Sequence, residues 1–232
     1  MHGIYAIADL GALDRARLDP VRFVEAVLAG GVAALQLRGK RALGGRLLEL
    51  LREVAPLARE RGVPLFANDR ADLALMAGCD GLHVGQGDTP VSEVRALAAK
   101  VGASLVVGLS THDESQLDRA LGEPVDYLAV GPVFGTVSKE NPDPVLGLDR
   151  AVALAKHARS VRPALPLVAI GGIGPEAAAR LAHAFDAVAV ISALLPERSD
   201  FGEVESRAKA MVQAFEEASR AAQMSRPPRE PS

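Results

Sequence analysis

Apolar runs of four to seven residues recur along the chain, each followed by a polar or glycine-rich loop. The runs predict strands at 4–8, 32–38, 63–67, 80–84, 103–109, 125–130, 167–170 and 187–191. Val21, Val24, Val27 and Leu28 have helical spacing and predict a helix over 20–30 that stops at Gly30-Gly31. Leu47, Leu50, Leu51, Val54, Leu57 and Ala58 mark a second amphipathic helix, closed by Gly62. Further helices are expected from about Arg70 and over 90–100, 113–121, 148–159, 175–184 and 201–222. The strand runs are nearly continuous in apolar residues rather than alternating, as strands covered on both faces should be. Eight strands alternating with eight helices predict an α/β protein, a single-domain (β/α)8 TIM barrel over 1–222. A doubly wound open sheet is the alternative, but eight units in 232 residues suit the closed barrel better. The tail, 223–232, is rich in Arg, Pro, Glu and Ser and is expected to be disordered.

In such a barrel every strand ends on one rim, where enzymes of this architecture carry their active sites. Those ends read Asp9, then Gln36, Arg38 and Lys40, then Asn68 and Asp69, then Gln86 and Asp88. They continue with Ser110 and His112, then Thr136, Ser138 and Lys139, then Gly171-Gly172, and finally Ile191-Ser192. The opposite ends carry mostly Gly, Ala and Pro with a few charged residues. Asp69 and Asp88 on neighbouring loops are a donor pair for Mg²⁺, which takes one or two carboxylates plus substrate phosphates. The competing reading makes Asp69 a helix cap and Asp88 the start of a turn before Pro90. The pair alone fits that structural role; the gathering of polar residues on one rim favours the metal.

Gly171-Gly172 together with Ile191-Ser192 suits phosphate, because loops after the last two strands of such barrels offer backbone N–H groups to an anion. A plain tight turn is the other possibility. Arg38, Lys40 and Lys139 suggest a second, more highly charged anion bridged by metal, although Lys40 beside Arg41 also fits ordinary surface charge. His83 and His112 read as hydrogen-bonded structural histidines, and Tyr5 and Cys79 as packing.

Composition narrows the classes. Net charge is -3, from 26 basic and 29 acidic residues, so no global field favours nucleic acid or an anionic membrane surface. Aromatic content is 3% with no Trp, which weakens any base-stacking platform. A single cysteine excludes an intramolecular disulfide and fits a cytoplasmic location. No run approaches the ~18 apolar residues of a membrane span, and Met1-His2-Gly3-Ile4 does not open like a secretory signal.

The matching stretches Gln36-Leu37-Arg38-Gly39-Lys40, Asn68-Asp69-Arg70-Ala71-Asp72, residues 80–88, Gly108-Leu109-Ser110-Thr111-His112, residues 126–139 and Ala169-Ile170-Gly171-Gly172-Ile173 resemble the thiamine phosphate synthase family, in the right order from about 4 to about 215. That family joins an aminopyrimidine methyl diphosphate to a thiazole phosphate and releases diphosphate. The resemblance implies that Gln36, Arg38, Lys40, Asn68 and Lys139 hold the pyrimidine diphosphate, with Asp69 and Asp88 carrying Mg²⁺. It puts Ser110 against the pyrimidine ring and Thr136, Ser138, Gly172, Ile191 and Ser192 on the thiazole phosphate. Arg38, Lys40, Ser110 and Lys139 would be the catalytic groups, and the loop 134–146 a lid that excludes water. Small-molecule substrates are the expected partners, a homo-oligomer being compatible. Two departures stand out: Ala8 where the family has Thr, and Ser138 where it has a second Thr. The rivals are a related thiazole tautomerase, which tends to lack the metal carboxylates, a non-enzymatic regulator lacking Arg38, Asp69 or Lys139, and a sugar-phosphate isomerase.

Overall fold

The computed structural model describes residues 1–135 and 143–224. Eight parallel strands close a barrel in chain order. They are β1 (Gly3–Asp9), β2 (Ala34–Arg38), β3 (Leu65–Asn68), β4 (Gly81–Val84), β5 (Val106–Thr111), β6 (Tyr127–Val130), β7 (Leu167–Ile170) and β8 (Ala187–Val190). The helices around them are α1 (Leu10–Arg15), α2 (Pro20–Ala29), α3 (Gly44–Glu60), α4 (Ala71–Ala77), α5 (Val91–Lys100), α6 (Glu114–Leu121), α7 (Leu148–Val161), α8 (Pro175–Leu181) and α9 (Phe201–Met224). A 3₁₀ turn, Ser192–Leu194, follows β8. Among the described residues no helix is long and apolar enough to cross a membrane.

Both faces of each strand are buried, yet they do different work. Leu35, Leu37, Leu82, Val84, Leu128, Val130 and Val188 face the helices in the outer core. Tyr5, Ile7, Phe66, Tyr127, Ala129, Val168 and Ala189 fill the barrel interior. Three rings dominate that interior, with centroids 5.3 Å (Tyr5–Phe66), 5.8 Å (Phe66–Tyr127) and 6.2 Å (Tyr5–Tyr127) apart. Their room comes from glycine on the neighbouring strand: a Cβ on Gly81 would lie 2.3 Å from the Phe66 ring, and one on Gly108 2.0 Å from the Tyr127 ring. Real Cβ atoms do not tolerate such contacts, so a side chain at either position would displace a ring from a close-packed core.

The lower rim is closed by three aspartates that immediately precede even-numbered strands. Leu65 N–H donates to Asp80 Oδ2 (2.8 Å) while Asp80 N–H donates to the Leu65 carbonyl (2.9 Å). Asp126 repeats the exchange with Val107 (2.6 and 2.8 Å) and Asp186 with Leu167 (2.7 and 2.9 Å). Arg95 and Arg159 brace two of these carboxylates at 2.6 and 2.7 Å. Each aspartate thus satisfies a strand-end N–H that the parallel ladder leaves over.

β2 and β6 start later than expected and α8 ends earlier, and four further departures have a local cause. The helix α1 is new: the Asp9 carboxylate accepts from Ala12 N–H at 2.9 Å and caps it. β5 starts at Val106, not 103, because Ala103 N–H is still held by the Ala98 carbonyl at the end of α5. It then runs on through Ser110 and Thr111, which pair with Ala129 and Val130. Finally, α9 continues to Met224, past the expected 222, since after Gly202 in its first turn no glycine or proline occurs before Pro227.

Candidate active site

At the upper rim an open cleft encloses about 1040 Å³ of space, its solvent mouth included. Side chains from all eight strand ends line it. Gln36, Arg38, Lys40, Asn68, Asp69, Asp88, Ser110, Gly172, Ile191 and Ser192 all reach it, as the sequence reading expects. Thr136, Ser138 and Lys139 lie outside the described residues, as does most of the 134–146 loop.

Strand parity explains the gathering. Gln36 and Arg38, Asn68, His83 and Ser110 occupy inward positions at the ends of β2, β3, β4 and β5, above the aromatic plug. Gln36 (2% exposed), Asn68 (7%) and Ser110 (9%) are buried polar groups beneath an open mouth. Beyond them the carboxylates and Lys40 form a charged cluster. Lys40 Nζ lies 3.1 Å from Asp69 Oδ2 and 4.0 Å from Asp88 Oδ2.

The structure removes one structural reading of Asp69. Arg70 occupies the cap position of α4 with no side-chain hydrogen bond, so Asp69 caps nothing there. Instead Asp69 has φ +60°, a left-handed backbone that few non-glycine residues adopt. Its N–H donates to the His83 carbonyl at 2.9 Å, which pins the turn and turns the carboxylate toward Asp88. Such strain costs on the order of 1–3 kcal/mol and tends to sit where function requires the geometry. Asp88 keeps a turn role as well, its Oδ2 accepting from Gly85 N–H at 3.0 Å.

The two carboxyls titrate as a pair. Burial, then the hydrogen bond to Asp88 and its charge, hold the Asp69 pKa above the ordinary carboxylate range despite Lys40. Burial pushes Asp88 the same way, but the hydrogen bonds from Asp69 and Gly85 N–H, with the charge of Lys40, outweigh it and hold Asp88 low. A carboxylate this close disfavours ionisation of its neighbour, and Lys40 offsets that only in part.

Other groups play parts that residue type alone did not indicate. Arg38 donates to Asp9 Oδ2 in a partly buried ion pair, so Asp9, a rim candidate from its position, orients the guanidinium and caps α1. Tyr5, read as packing, also hydrogen-bonds: Gln36 Nε2 donates to its hydroxyl at 2.8 Å. His83, set aside as structural, bridges Tyr127 and Ser110 beneath the cleft. His112 donates from Nδ1 to the Gly131 carbonyl (2.5 Å), leaving Nε2 3.3 Å from Asp143. Gln86 donates to the Ser110 carbonyl rather than to the cleft. The signal that marks Tyr5 and Tyr127 is their inward strand parity, which can be read only once the barrel register is known.

Gly171 (φ +102°) and Gly172 (φ +64°) follow β7 in conformations that need glycine. A Cβ on Gly172 would also lie 2.4 Å from the Gly135 carbonyl. Ile191 and Ser192, after the adjacent strand β8, begin the 3₁₀ turn beside them on the cleft wall.

Residues 4–194 match the family described as thiamine monophosphate synthase. The chain belongs to that family. A thiamine-phosphate synthase from Anaeromyxobacter dehalogenans (strain 2CP-C) is 44% identical over 210 residues, covering 90% of this chain and 88% of the relative. One from Koribacter versatilis (strain Ellin345) is 43% identical over 195 residues, covering 83% and 88%. Among solved structures, a thiamine phosphate pyrophosphorylase from Pyrococcus furiosus superposes with a TM-score of 0.78 at 28% identity, covering 93% of this chain and 96% of that one. The tryptophan synthase alpha subunit of Legionella pneumophila (TM-score 0.66, 18% identity) shares the barrel alone. The cleft with its paired aspartates and basic groups lies within the residues that match the thiamine monophosphate synthase family.

Proposed function

We propose that the chain couples 4-amino-2-methyl-5-pyrimidinylmethyl diphosphate to a thiazole phosphate, giving thiamine phosphate and diphosphate, with Mg²⁺ held by Asp69 and Asp88. The observation that carries the reading is the convergence of Lys40 on both carboxylates above a floor of Gln36, Asn68 and Ser110. Family membership and relatives at about 40% identity, several of them named thiamine-phosphate synthase, support it.

The donor set suits Mg²⁺. Two hard oxygen ligands converge where the Lys40 ammonium already sits, so the place favours positive charge. Among the described residues no cluster of three or more His, Cys, Asp or Glu side chains forms. Two carboxylates, with water and substrate phosphate completing the shell, match the habit of this ion rather than that of an all-protein cage. When bound, Mg²⁺ would neutralise charge on the diphosphate.

The reaction breaks the bond between the methylene carbon and a diphosphate oxygen, and the electron pair leaves with the diphosphate. Arg38 and Lys40 would stabilise that charge, and the ion pair with Asp9 would hold the Arg38 guanidinium for it. The pyrimidine amino group delocalises the cation left on the methylene, so no protein nucleophile is required. The thiazole nitrogen then forms the new carbon–nitrogen bond, and no proton needs to leave. Gly172, Ile191 and Ser192 would hold the thiazole phosphate across the cleft, and such placement is worth up to about 7–11 kcal/mol.

Purified protein, both substrates and Mg²⁺ should yield equal amounts of thiamine phosphate and diphosphate, with nothing formed when either substrate is omitted. Isomerisation of a thiazole carboxylate without any pyrimidine diphosphate, and no coupling, would favour the tautomerase and overturn this reading.

A further inference from the structure

A chain of hydrogen bonds crosses the barrel interior below the cleft, from Gln36 on β2 to Ser110 on β5. Gln36 Nε2 donates to the Tyr5 hydroxyl (2.8 Å), which lies 3.2 Å from the Tyr127 hydroxyl. Tyr127 Oη is 2.8 Å from His83 Nδ1, and His83 Nε2 is 2.8 Å from Ser110 Oγ. All five side chains are buried, the phenols almost completely. Burial also pushes both phenols above their ordinary pKa, so each keeps its one proton.

The amide at one end sets the direction. An amide N–H can only donate, so the Tyr5 oxygen accepts from Gln36 and its own proton goes to Tyr127. Tyr127, accepting there, donates to His83 Nδ1. The imidazole proton then sits on Nε2 and points at Ser110 Oγ. Ser110 accepts from below, which frees its own proton to turn into the cleft. In the opposite direction the Tyr5 proton would face the Gln36 N–H, a buried donor left without an acceptor.

We infer that Tyr5, Tyr127 and His83 are positioning residues that make Ser110 a hydrogen-bond donor to the substrate ring. The inference rests on the proposed placement of the pyrimidine against Ser110. It makes the cleft selective for a heteroaromatic ring that presents a nitrogen lone pair at that point. A ring presenting N–H there, as an oxo-substituted pyrimidine can, meets donor with donor.

Two measurements test it. Two-bond ¹H–¹⁵N correlation NMR of the ligand-free protein should show His83 neutral, with its proton on Nε2. A proton on Nδ1 overturns the inference, whatever the protein catalyses. In steady-state kinetics, Tyr127→Phe keeps the ring that fills the space beside Gly108 and should raise the KM for the pyrimidine diphosphate about tenfold, the weight of one hydrogen bond. The KM for thiazole phosphate should not move. Ser110→Ala should raise the same KM, and adding Tyr127→Phe to it should change nothing further, because Tyr127 acts through Ser110. Additive effects would overturn the inference. Absence of any coupling by the wild-type protein would instead defeat the functional reading, and the NMR result would still decide the direction of the chain.

Discussion

The two rims of the barrel use the same residue type to opposite ends. On the lower rim Asp80, Asp126 and Asp186 each spend a carboxylate oxygen on the backbone N–H of the preceding strand. Two of them are also braced by arginine. On the upper rim Asp69 and Asp88 face one another within reach of Lys40, and burial together with the neighbouring Asp88 raises the Asp69 pKa. A carboxylate surrounded by donors has no more chemistry to offer. One pressed against its own kind is poised to take a cation. The difference lies in what the fold supplies around each aspartate rather than in the aspartate itself.

The largest expected effect belongs to the upper rim. Asp88→Asn should lower Mg²⁺-dependent coupling by about two to three orders of magnitude while the thermal midpoint stays near that of the wild type. Full activity at limiting Mg²⁺ would break the comparison at its functional end. Asp186→Ala tests the other end. It leaves Leu167 N–H and Arg159 without their acceptor and should cost about 1–3 kcal/mol of stability, read as a drop of several degrees in Tm. Its coupling kinetics at 25 °C should match the wild type, and a selective loss of kcat with an unchanged Tm would erase the division of labour.

A third effect is a pH dependence confined to the upper rim. The Asp69 pKa is raised, so in the metal-free protein its proton stabilises the fold at low pH, and that contribution is lost as pH rises through the folded value. Metal binding expels the same proton. Mg²⁺ affinity should therefore weaken by up to about tenfold per pH unit below that pKa, a trend calorimetric titration can follow. Asp88→Asn should flatten the slope, because its amide cannot form the carboxylate pair. The smallest effect is at the far wall: Ser192→Ala should raise the KM for thiazole phosphate a few-fold, with the pyrimidine diphosphate KM unmoved. An unchanged value would remove Ser192 from that site.

Much of this was legible along the chain. The strands are legible because apolar runs bounded by glycine and polar loops mark a sheet buried on both faces, and the upper rim because Gln36 and Arg38 end such a run and Asn68, Asp69 and Asp88 follow others. Cys79, read as packing, is buried in the outer core, and burial pushes its thiol up to about 12. The helix α1 escaped notice because it is six residues long and held by one cap. The lower-rim aspartates looked like scattered surface charge, because their partners lie 15, 19 and 19 residues away. Tyr5 and Tyr127, 122 residues apart, could not be linked without the closed barrel.

The order of elements, the closure of the barrel and the membership of the rim follow from the sequence, because burial and turn chemistry are local properties that periodicity records. What each polar side chain does was decided by tertiary structure alone. With both strand faces apolar the pattern carries no sign for inward or outward. Only the register of the closed barrel sets Tyr127 under Ser110, Asp9 beside Arg38, and Asp69 against Asp88.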